Sequence, residues 1–301
     1  MARNWTDEQL KIMERRIAKI YSEAKNDIVK SWNDYMHNAN NEISSLQDEY
    51  NQAKNSGDTQ YMNSVHKKLQ QAKKQATIYN KKYKDMIDDT TYRISHTNQI
   101  AIDYMNGKLP SIYTVNYNDA AKTASNIGVR FDLVSEDVVK RMIVNDDIRL
   151  PRKKINIPKD KRWNTRQLNS AVLQGILSGE SMDDIAKRIE PIIGGNRKAA
   201  IRNARTMVTG AENAGKNDSF KRLEELGAII EKTWLATSDR RTRHSHRLMN
   251  GETIKANEIF SNGLEYPGDP DGEPEEVYNC RCTMVSEVIG VRRSDGSIKY
   301  I

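Results

Sequence analysis

Residues 43–65 read ISSLQDEYNQAKNSGDTQYMNSV, and this stretch decides the architecture of the first third of the chain. Its centre, from Asn55 to Asp58, is a polar, glycine-containing turn signal. On both sides of the turn, apolar residues recur every three or four positions, which is the period of an amphipathic helix. The sequence therefore predicts two long antiparallel helices, over roughly 7–55 and 59–106, that form a helical hairpin.

The apolar stripes extend far beyond the turn in both directions. Gly57 is the only glycine before Gly107, and the first proline is Pro110, so little interrupts either helix. The stripes are rich in Tyr, Ala and Met and have few Leu pairs, which indicates a modest seam. Before the turn the members are Leu10, Met13, Ile17, Ile20, Ala24, Ile28, Trp32 and Tyr35, continued by Ile43, Leu46, Tyr50 and Ala53. After it they are Tyr61, Val65, Leu69, Ala72, Ala76, Tyr79, Tyr83 and Met86, with a weak extension to Ile102.

Composition agrees with an elongated, helix-rich protein. The 301 residues are 37% hydrophobic and 30% charged, which is polar for one large core. No apolar run approaches the ~18 residues of a membrane span, and the N-terminal MARNWTDEQLK has no apolar core of a signal peptide. With only two cysteines, a reducing compartment is expected. The net charge of +7 favours an anionic partner.

The remaining sequence predicts short helices followed by strands. Helix-start patterns occur at Ser135, at Thr165 (to Gly179), at Ser181 (to Pro191 and Gly194-Gly195), and helix fits 196–226 again. Strands are predicted over 228–235 and 277–288, with a glycine- and proline-rich loop between them. We therefore expect a mainly α protein with a small C-terminal α+β domain. Its predicted parts are a hairpin arm at 1–110, a helical middle at 111–200 and a compact domain at 201–301.

The basic charge is concentrated in residues 149–166, RLPRKKINIPKDKRWNTR. Eight basic residues oppose Asp160, a surplus equal to the net charge of the whole chain. Such a segment suits contact with DNA phosphates or an acidic surface without base readout. It is also typical of a solvated loop anchored by its Ile and Trp side chains. The candidate DNA-binding residues are Arg152, Lys153, Lys154, Lys159, Lys161, Arg162 and Arg166.

Histidine and cysteine side chains gather in the C-terminal domain. His244, His246, Cys280 and Cys282 are the residue types of a tetrahedral zinc site. Their H-x-H and C-x-C spacing differs from that of common zinc modules. The alternative is that the two cysteines pack as small hydrophobic residues in the core. The sequence leaves both interpretations open.

The same region also permits an enzymatic interpretation. Asp239, Arg243, His244 and His246 could supply an acid, an anion clamp and a general base, as in a histidine-based nuclease. The carboxylates and additional histidine of a metal-dependent nuclease are not identifiable. The alternative is structural, with Asp239 and Arg243 paired to each other or to the backbone.

The order of residues after position 200 resembles the Mu F-like minor head protein family of tailed phages, also called the head morphogenesis family. A helix resembling the family's Ala-Arg-Thr-Glu helix precedes the motif, although Met207 stands where an acidic residue is usual, and His244 is not a motif position. The matching residues are Ala204, Arg205, Thr206, Ala211 and Asn213, then Trp234, Ala236, Asp239, Arg243, His246 and Gly251, then Pro267, Gly268, Asp269 and Pro270, then Asn279, Cys280, Arg281 and Cys282.

The resemblance implies a structural virion protein and not an enzyme, with no required cofactor. It implies association with the portal protein inside the procapsid, beside capsid and scaffold proteins, and roles in head assembly, DNA packaging or genome delivery. The implied location is the capsid interior near the portal, after assembly in the host cytoplasm. In this picture the loop of Asp239, Arg243 and His246 is held against a strand at 279–282. The alternatives are a phosphate-directed enzyme, nuclease or toxin-like, and a zinc-stapled DNA-binding module.

Overall fold

The computed structural model describes residues 2–77, 81–123, 129, 131–145, 147–148, 150, 159–178, 182–293 and 295–301. The protein is mostly helical, with a small antiparallel sheet near the C-terminus, as the sequence predicts. The helices are α1 (Ala2–Ser56), α2 (Thr59–Thr77), α3 (Lys81–Lys122), α4 (Glu136–Val144), α5 (Lys161–Leu177), α6 (Met182–Glu225), α7 (His244–Leu248) and α8 (Pro274–Val277). The strands are β1 (Ala228–Leu235), β2 (Thr253–Lys255), β3 (Thr283–Arg292) and β4 (Ile298–Tyr300).

The chain divides into two compact units. One unit comprises 1–17, 100–158 and 198–301, and the other comprises 18–99 and 159–197. Three of the boundaries fall inside α1, α3 and α6. The three-part division at 110 and 200 stays a prediction. None of the helices in the described part of the chain is long and apolar enough to span a membrane.

The predicted hairpin is confirmed in the unit that contains 18–99. Trp32 of α1 donates its indole N–H to Thr90 Oγ1 of α3 at 3.0 Å. The Tyr21 hydroxyl donates to Asn98 Oδ1 at 2.5 Å. Tyr21 precedes Trp32 in α1, whereas its partner Asn98 follows Thr90 in α3. The two helices are therefore antiparallel. Their seam buries apolar side chains together with these polar pairs.

The second arm of the hairpin, predicted as a helix over 59–106, is helical on both sides of residues 78–80, which lie outside the described residues. It extends beyond the predicted end, because α3 continues through Pro110 to residue 122. A proline inside a helix costs about 3 kcal/mol. Here the turn after Pro110 is buried, and its Tyr113 hydroxyl donates to Asp218 Oδ2 of α6 at 2.7 Å. Asn116 of the same turn is also buried. Tertiary packing therefore outweighs the local breaker.

Helix α4 begins as predicted, whereas α5 begins earlier than predicted. Ser135 caps α4, since its hydroxyl accepts a hydrogen bond from the Val138 N–H at 3.3 Å. Thr165 was the predicted start of the next helix, but α5 begins at Lys161. The Asp160 carboxylate accepts a hydrogen bond from the Trp163 N–H at 2.6 Å and so supplies the cap one turn earlier.

Helix α6 runs without a break through Pro191 and through the Gly194-Gly195 pair, where the sequence predicted its end and a new start at 196. The predicted start at Ser181 lies outside the described residues. Burial again overrides the local signal. Asn196 is fully buried and donates its amide to Asn164 Oδ1 of α5 at 2.7 Å, which holds this part of α6 in place.

The four-stranded sheet has the order β2-β1-β3-β4, with every neighbouring pair antiparallel. The prediction of β1 is confirmed. The second predicted strand, 277–288, is wrong in its first half, because β3 begins only at Thr283. Residues 274–277 form a helical turn, and Asn279 has a left-handed φ of 57°, which ends extended pairing there. Residues 279–282 are thus a loop and not the strand expected from the sequence.

Candidate functional site

The motif residues converge on Trp234 at the end of β1. Trp234 is fully buried, and its ring meets His246 of α7 edge-to-face at 5.3 Å between centroids. Phe260 lies on it at 5.1 Å in a second edge-to-face contact. The Gly251 N–H donates to the Trp234 carbonyl at 2.9 Å, and Gly251 has a φ of 88° that favours glycine. The Trp-His-Gly part of the motif is therefore one packed cluster.

Asp239 and Arg281 form a bidentate ion pair. The two guanidinium nitrogens of Arg281 donate to the carboxylate oxygens at 2.5 and 2.7 Å. This contact holds the pKa of Asp239 well below its usual range. The sequence left open whether Asp239 and Arg243 pair with each other or with the backbone. In the structure both bind backbone groups: Asp239 accepts a hydrogen bond from the Arg241 N–H, in addition to the ion pair with Arg281, which the sequence did not predict. The Arg243 guanidinium donates to the Tyr278 carbonyl.

Three of the four predicted metal ligands meet. His246 Nδ1 lies 3.6 Å from Cys280 Sγ and 3.3 Å from Cys282 Sγ, and all three residues are buried. His244 is exposed on α7, outside this group. Both cysteines are free thiols. Although 280–282 is not a strand, the two side chains still point to one imidazole.

The electrostatics of this group favour one thiolate. Hydrogen bonding from Cys280 lowers the pKa of Cys282, with a further contribution from His246, while burial acts in the opposite direction. The contact with Cys282, together with burial, raises the pKa of Cys280. On the far side of the imidazole, His246 Nε2 lies 2.7 Å from Glu276 Oε2. Ser245 donates its hydroxyl to the same carboxylate at 3.1 and 3.2 Å.

Helix α6 holds the Cys-containing loop through buried polar side chains. Asn213 donates its amide to the carbonyl oxygens of Pro267 at 3.1 Å and Cys282 at 3.2 Å. Its Oδ1 accepts a hydrogen bond from the Met284 N–H at 3.2 Å. The Thr206 hydroxyl accepts from the Asn279 N–H at 2.7 Å, which fixes the left-handed residue. The motif positions on α6 are therefore supports of the loop.

Two other positions of the α6 motif have different roles. Arg205 donates to Glu14 of α1 at 2.7 Å, with both side chains partly buried. Met207 is fully buried, so the position that is usually acidic in the family is a core position here.

The P-G-D-P segment lies directly against α6. A side chain at Gly268 would place its Cβ 2.9 Å from the Gly210 nitrogen, and Gly268 has a φ of 83°. Both the space and the backbone conformation therefore require glycine. Asp269 accepts hydrogen bonds from the N–H groups of Glu265 and Asp271, each at 3.0 Å, and closes the turn.

Sequence reasoning missed a buried lysine in this domain. Alternate residues of β1 face the core, and Lys232 occupies one of these inward positions with no exposed surface. Its Nζ donates to Asn217 Oδ1 and to the Glu265 carbonyl, each at 3.0 Å. Burial lowers the pKa of Lys232 to about 8. The alternation along β1 places position 232 on its inward face, and this is the sequence signal that could have identified the buried lysine.

The basic segment is described only in part. Arg152, Lys153 and Lys154 lie outside the described residues. Lys159 lies over the Trp163 ring at 4.8 Å, and Lys161, Arg162 and Arg166 are exposed on the first turns of α5. With Thr165 and Asn169, the last three line a depression of about 470 Å³. The described half of the segment is therefore a basic helix start.

Comparison with known proteins gives the family. Residues 166–285 match the family described as Phage Mu protein F like protein. Minor head protein GP7 of Bacillus phage SPP1 is 30% identical in an alignment 245 residues long that covers 74% of this chain and 77% of GP7. The chain belongs to the Phage Mu F-like family.

A second relative is an enzyme. NAD(+)–arginine ADP-ribosyltransferase EFV of Enterococcus faecalis is 27% identical over 170 residues, which is 56% of this chain. The chain spans only 35% of the length of EFV, against about three quarters of GP7. No solved structure is significantly similar to the chain.

Proposed function

We propose that this protein is a minor structural component of a tailed-phage head. The supporting observation is the similarity to minor head protein GP7, which covers 77% of that protein. The aligned 245 residues are about twice the length of the family match at 166–285. The likeness therefore extends beyond the C-terminal motif into the helical region.

The proposed site of action is the capsid interior near the portal, where the protein aids head assembly, DNA packaging or genome delivery. We propose the C-terminal domain as the folding and docking unit. Its motif side chains hold the domain together through internal contacts, such as Arg281 with Asp239 and Asn213 with the Pro267 carbonyl, which supports the structural half of that role.

Co-purification with the portal protein of the same phage tests this role. We expect the two purified proteins to elute together in size-exclusion chromatography, with a mass above that of the portal assembly alone. The major capsid protein of the phage serves as the comparison partner. Separate elution of a well-folded sample from the portal would refute the portal association.

We further propose non-specific contact with double-stranded DNA through the start of α5. Lys161, Arg162 and Arg166 form no ion pair within the described residues, so their charge is available to phosphates. The N-terminus of a helix also carries partial positive charge and free N–H groups. These contacts carry no base readout, so the binding is expected to be independent of sequence.

Replacement of Lys161, Arg162 and Arg166 by Ala is expected to weaken DNA binding and to flatten its salt dependence. Removal of each phosphate-binding side chain reduces the slope of log K against log salt by about 0.9. Fluorescence anisotropy of a random-sequence duplex at several salt concentrations measures the slope. The matched control replaces Lys54, Lys67 and Lys68, which are exposed on the hairpin, and it removes the same charge. Equal slopes for the two triple variants would rule out a specific role of α5.

We propose that the chain is not an enzyme, although the match to EFV makes ADP-ribosyl transfer the alternative to test. His246 is buried, and the Asp239 carboxylate and Arg243 guanidinium are bound within the protein. Incubation with NAD⁺ and an arginine-rich acceptor is expected to give no ADP-ribosylated product. Incubation with plasmid and divalent metal ions is expected to give no nicking. Turnover in either assay would refute the structural role.

A further inference from the structure

The imidazole of His246 faces two sulfur atoms with one nitrogen. Cys280 Sγ and Cys282 Sγ lie 3.6 and 3.3 Å from His246 Nδ1, and the three ligand atoms lie within 4.8 Å of one another. A neutral imidazole nitrogen has a single lone pair and accepts one S–H hydrogen bond. The second thiol then has no equivalent partner on that nitrogen. A shared metal ion would satisfy both sulfurs and the nitrogen at once.

The distances match those around a tetrahedral zinc ion. With Zn–S near 2.3 Å and Zn–N near 2.0–2.1 Å, tetrahedral geometry places nitrogen and sulfur about 3.5 Å apart. The observed separations of 3.3 and 3.6 Å lie on either side of that value. Both nitrogen–sulfur separations are therefore those expected around one zinc ion.

The other imidazole nitrogen of His246 lies beside a carboxylate, as is common for histidine ligands of zinc. His246 Nε2 lies 2.7 Å from Glu276 Oε2, and Ser245 donates to the same carboxylate. The Nε2–Oε2 contact is within ion-pair distance but lacks the angle of a hydrogen bond. A carboxylate beside Nε2 favours the proton on that nitrogen, which leaves the Nδ1 lone pair for a metal. The Cys282 N–H donates to Cys280 Sγ at 3.4 Å and so fixes the position of that sulfur.

We propose that His246 Nδ1, Cys280 Sγ and Cys282 Sγ bind one zinc ion, with Glu276 as the residue that positions the imidazole. The metal would join α7 to the loop that leads into β3. Within the described residues, no fourth His, Cys, Asp or Glu donor belongs to this group, so a water or another non-protein donor completes the tetrahedron. His244 takes no part.

Metal content of the full-length protein is the first test. We expect about one zinc per chain by inductively coupled plasma mass spectrometry after incubation with zinc and desalting. Cobalt loading is expected to give sulfur-to-metal charge-transfer absorption and the visible bands of a tetrahedral ion, which one equivalent of zinc abolishes. These measurements use the unaltered chain and do not depend on any variant folding. Absence of both zinc and the cobalt spectrum would overturn the proposal.

Variants separate the ligands from their neighbours. Cys280→Ser, Cys282→Ser and His246→Gln are expected to lose the cobalt absorption bands. His244→Gln is the matched control, since it changes the same residue type two positions away on the exposed side of α7, and it is expected to keep them. Loss of the bands in His244→Gln with retention in Cys280→Ser would overturn the assigned ligand set.

The positioning role of Glu276 is tested by measuring the zinc affinity of variants. Loss of an outer carboxylate partner weakens metal binding by about 10- to 100-fold. We expect this loss for Glu276→Ala in competition with a chromophoric chelator. Glu275→Ala is the control, because Glu275 lies in the same helical turn and is exposed. Equal affinities of the two variants would overturn the positioning role.

Discussion

Asn213→Ala is expected to lower the free energy of unfolding by roughly 3–6 kcal/mol. Asn213 is fully buried on α6 and connects three separate segments of the C-terminal domain. Its amide donates to the carbonyl oxygens of Pro267 and Cys282, and its Oδ1 accepts from the Met284 N–H. Alanine removes these three bonds at once, together with those to the Thr209 carbonyl and from the Thr283 hydroxyl.

The size of the effect follows from what the substitution leaves behind. A buried polar group without a partner costs about 1–3 kcal/mol, and the mutant cavity has three of them. Loss of the partner of the Met284 N–H is especially destabilising, because this group lies at the start of β3 and points to α6. We therefore expect the loop at 279–282 to lose its order together with the start of β3.

Chemical denaturation followed by circular dichroism measures this change. Asn203→Ala is the matched control, since Asn203 is a half-buried asparagine on the same helix and its side chain forms no hydrogen bond within the described residues. The control is expected to change stability by less than about 0.5 kcal/mol. A difference below about 1 kcal/mol between the two variants would contradict the role of Asn213 as a shared support.

Local periodicity was sufficient to predict the hairpin and β1. Both are regular elements whose inward positions repeat at a fixed interval, so one stripe or one alternation identifies them. The sequence could not predict that α3 and α6 continue through Pro110 and Pro191. Those prolines are tolerated because partners remote in sequence, such as Asp218 and Asn164, form hydrogen bonds with the turns that follow them.

For the candidate site, too, the sequence predicted some features and could not predict others. The motif supplied most of its members, because the spacing of Trp, Asp, His and Cys residues is visible in the sequence. The partner of Asp239 could not be chosen between arginines from spacing alone, and it is Arg281. Glu276 was missed, since nothing local distinguishes it from Glu275. Only the chain geometry brings Glu276 to the imidazole.

Stability is expected to rise between pH 8 and 10 because of Lys232. The amine has no exposed surface, and burial lowers its pKa from the usual 10.5 to about 8. Neighbouring charges act in both directions: Glu265, Glu224 and Asp269 favour the charged amine, whereas Lys221 opposes it. Removal from water is the larger influence, so the charged amine is unfavourable in the folded protein.

The direction follows from proton binding. The free energy of unfolding rises with pH wherever the unfolded chain binds more protons than the folded chain. Between pH 8 and 10.5 the unfolded chain keeps Lys232 protonated, while the folded protein has released that proton. Stability therefore increases across this window, by up to about 3 kcal/mol if the full shift is expressed. Below pH 8 both states are protonated and the contribution is flat.

The ionisation of buried tyrosines limits the pH range in which the contribution of Lys232 can be measured. Burial raises the pKa of Tyr113 and Tyr266 above the usual 10.0. Above pH 10 these tyrosines ionise in the unfolded chain first, so they make stability fall as pH rises. Measurements between pH 7.5 and 10 avoid most of that opposing effect. Comparison with a variant that lacks the Lys232 amine separates its contribution from that of the other groups.

Urea unfolding at a series of pH values, compared between the unaltered chain and Lys232→Met, measures the contribution of this one amine. Methionine fills similar space without a charge, so it removes the titration while it leaves Asn217 Oδ1 and the Glu265 carbonyl without their donor. At pH 10, Lys232→Met is therefore expected to be less stable than the unaltered chain. The variant is also expected to lack the rise in the free energy of unfolding between pH 8 and 10. Lys255→Met is the control, because Lys255 is an exposed lysine on the adjacent strand β2, and it keeps the rise. An unchanged rise in Lys232→Met would assign the pH dependence to other groups and show that the buried amine stays charged.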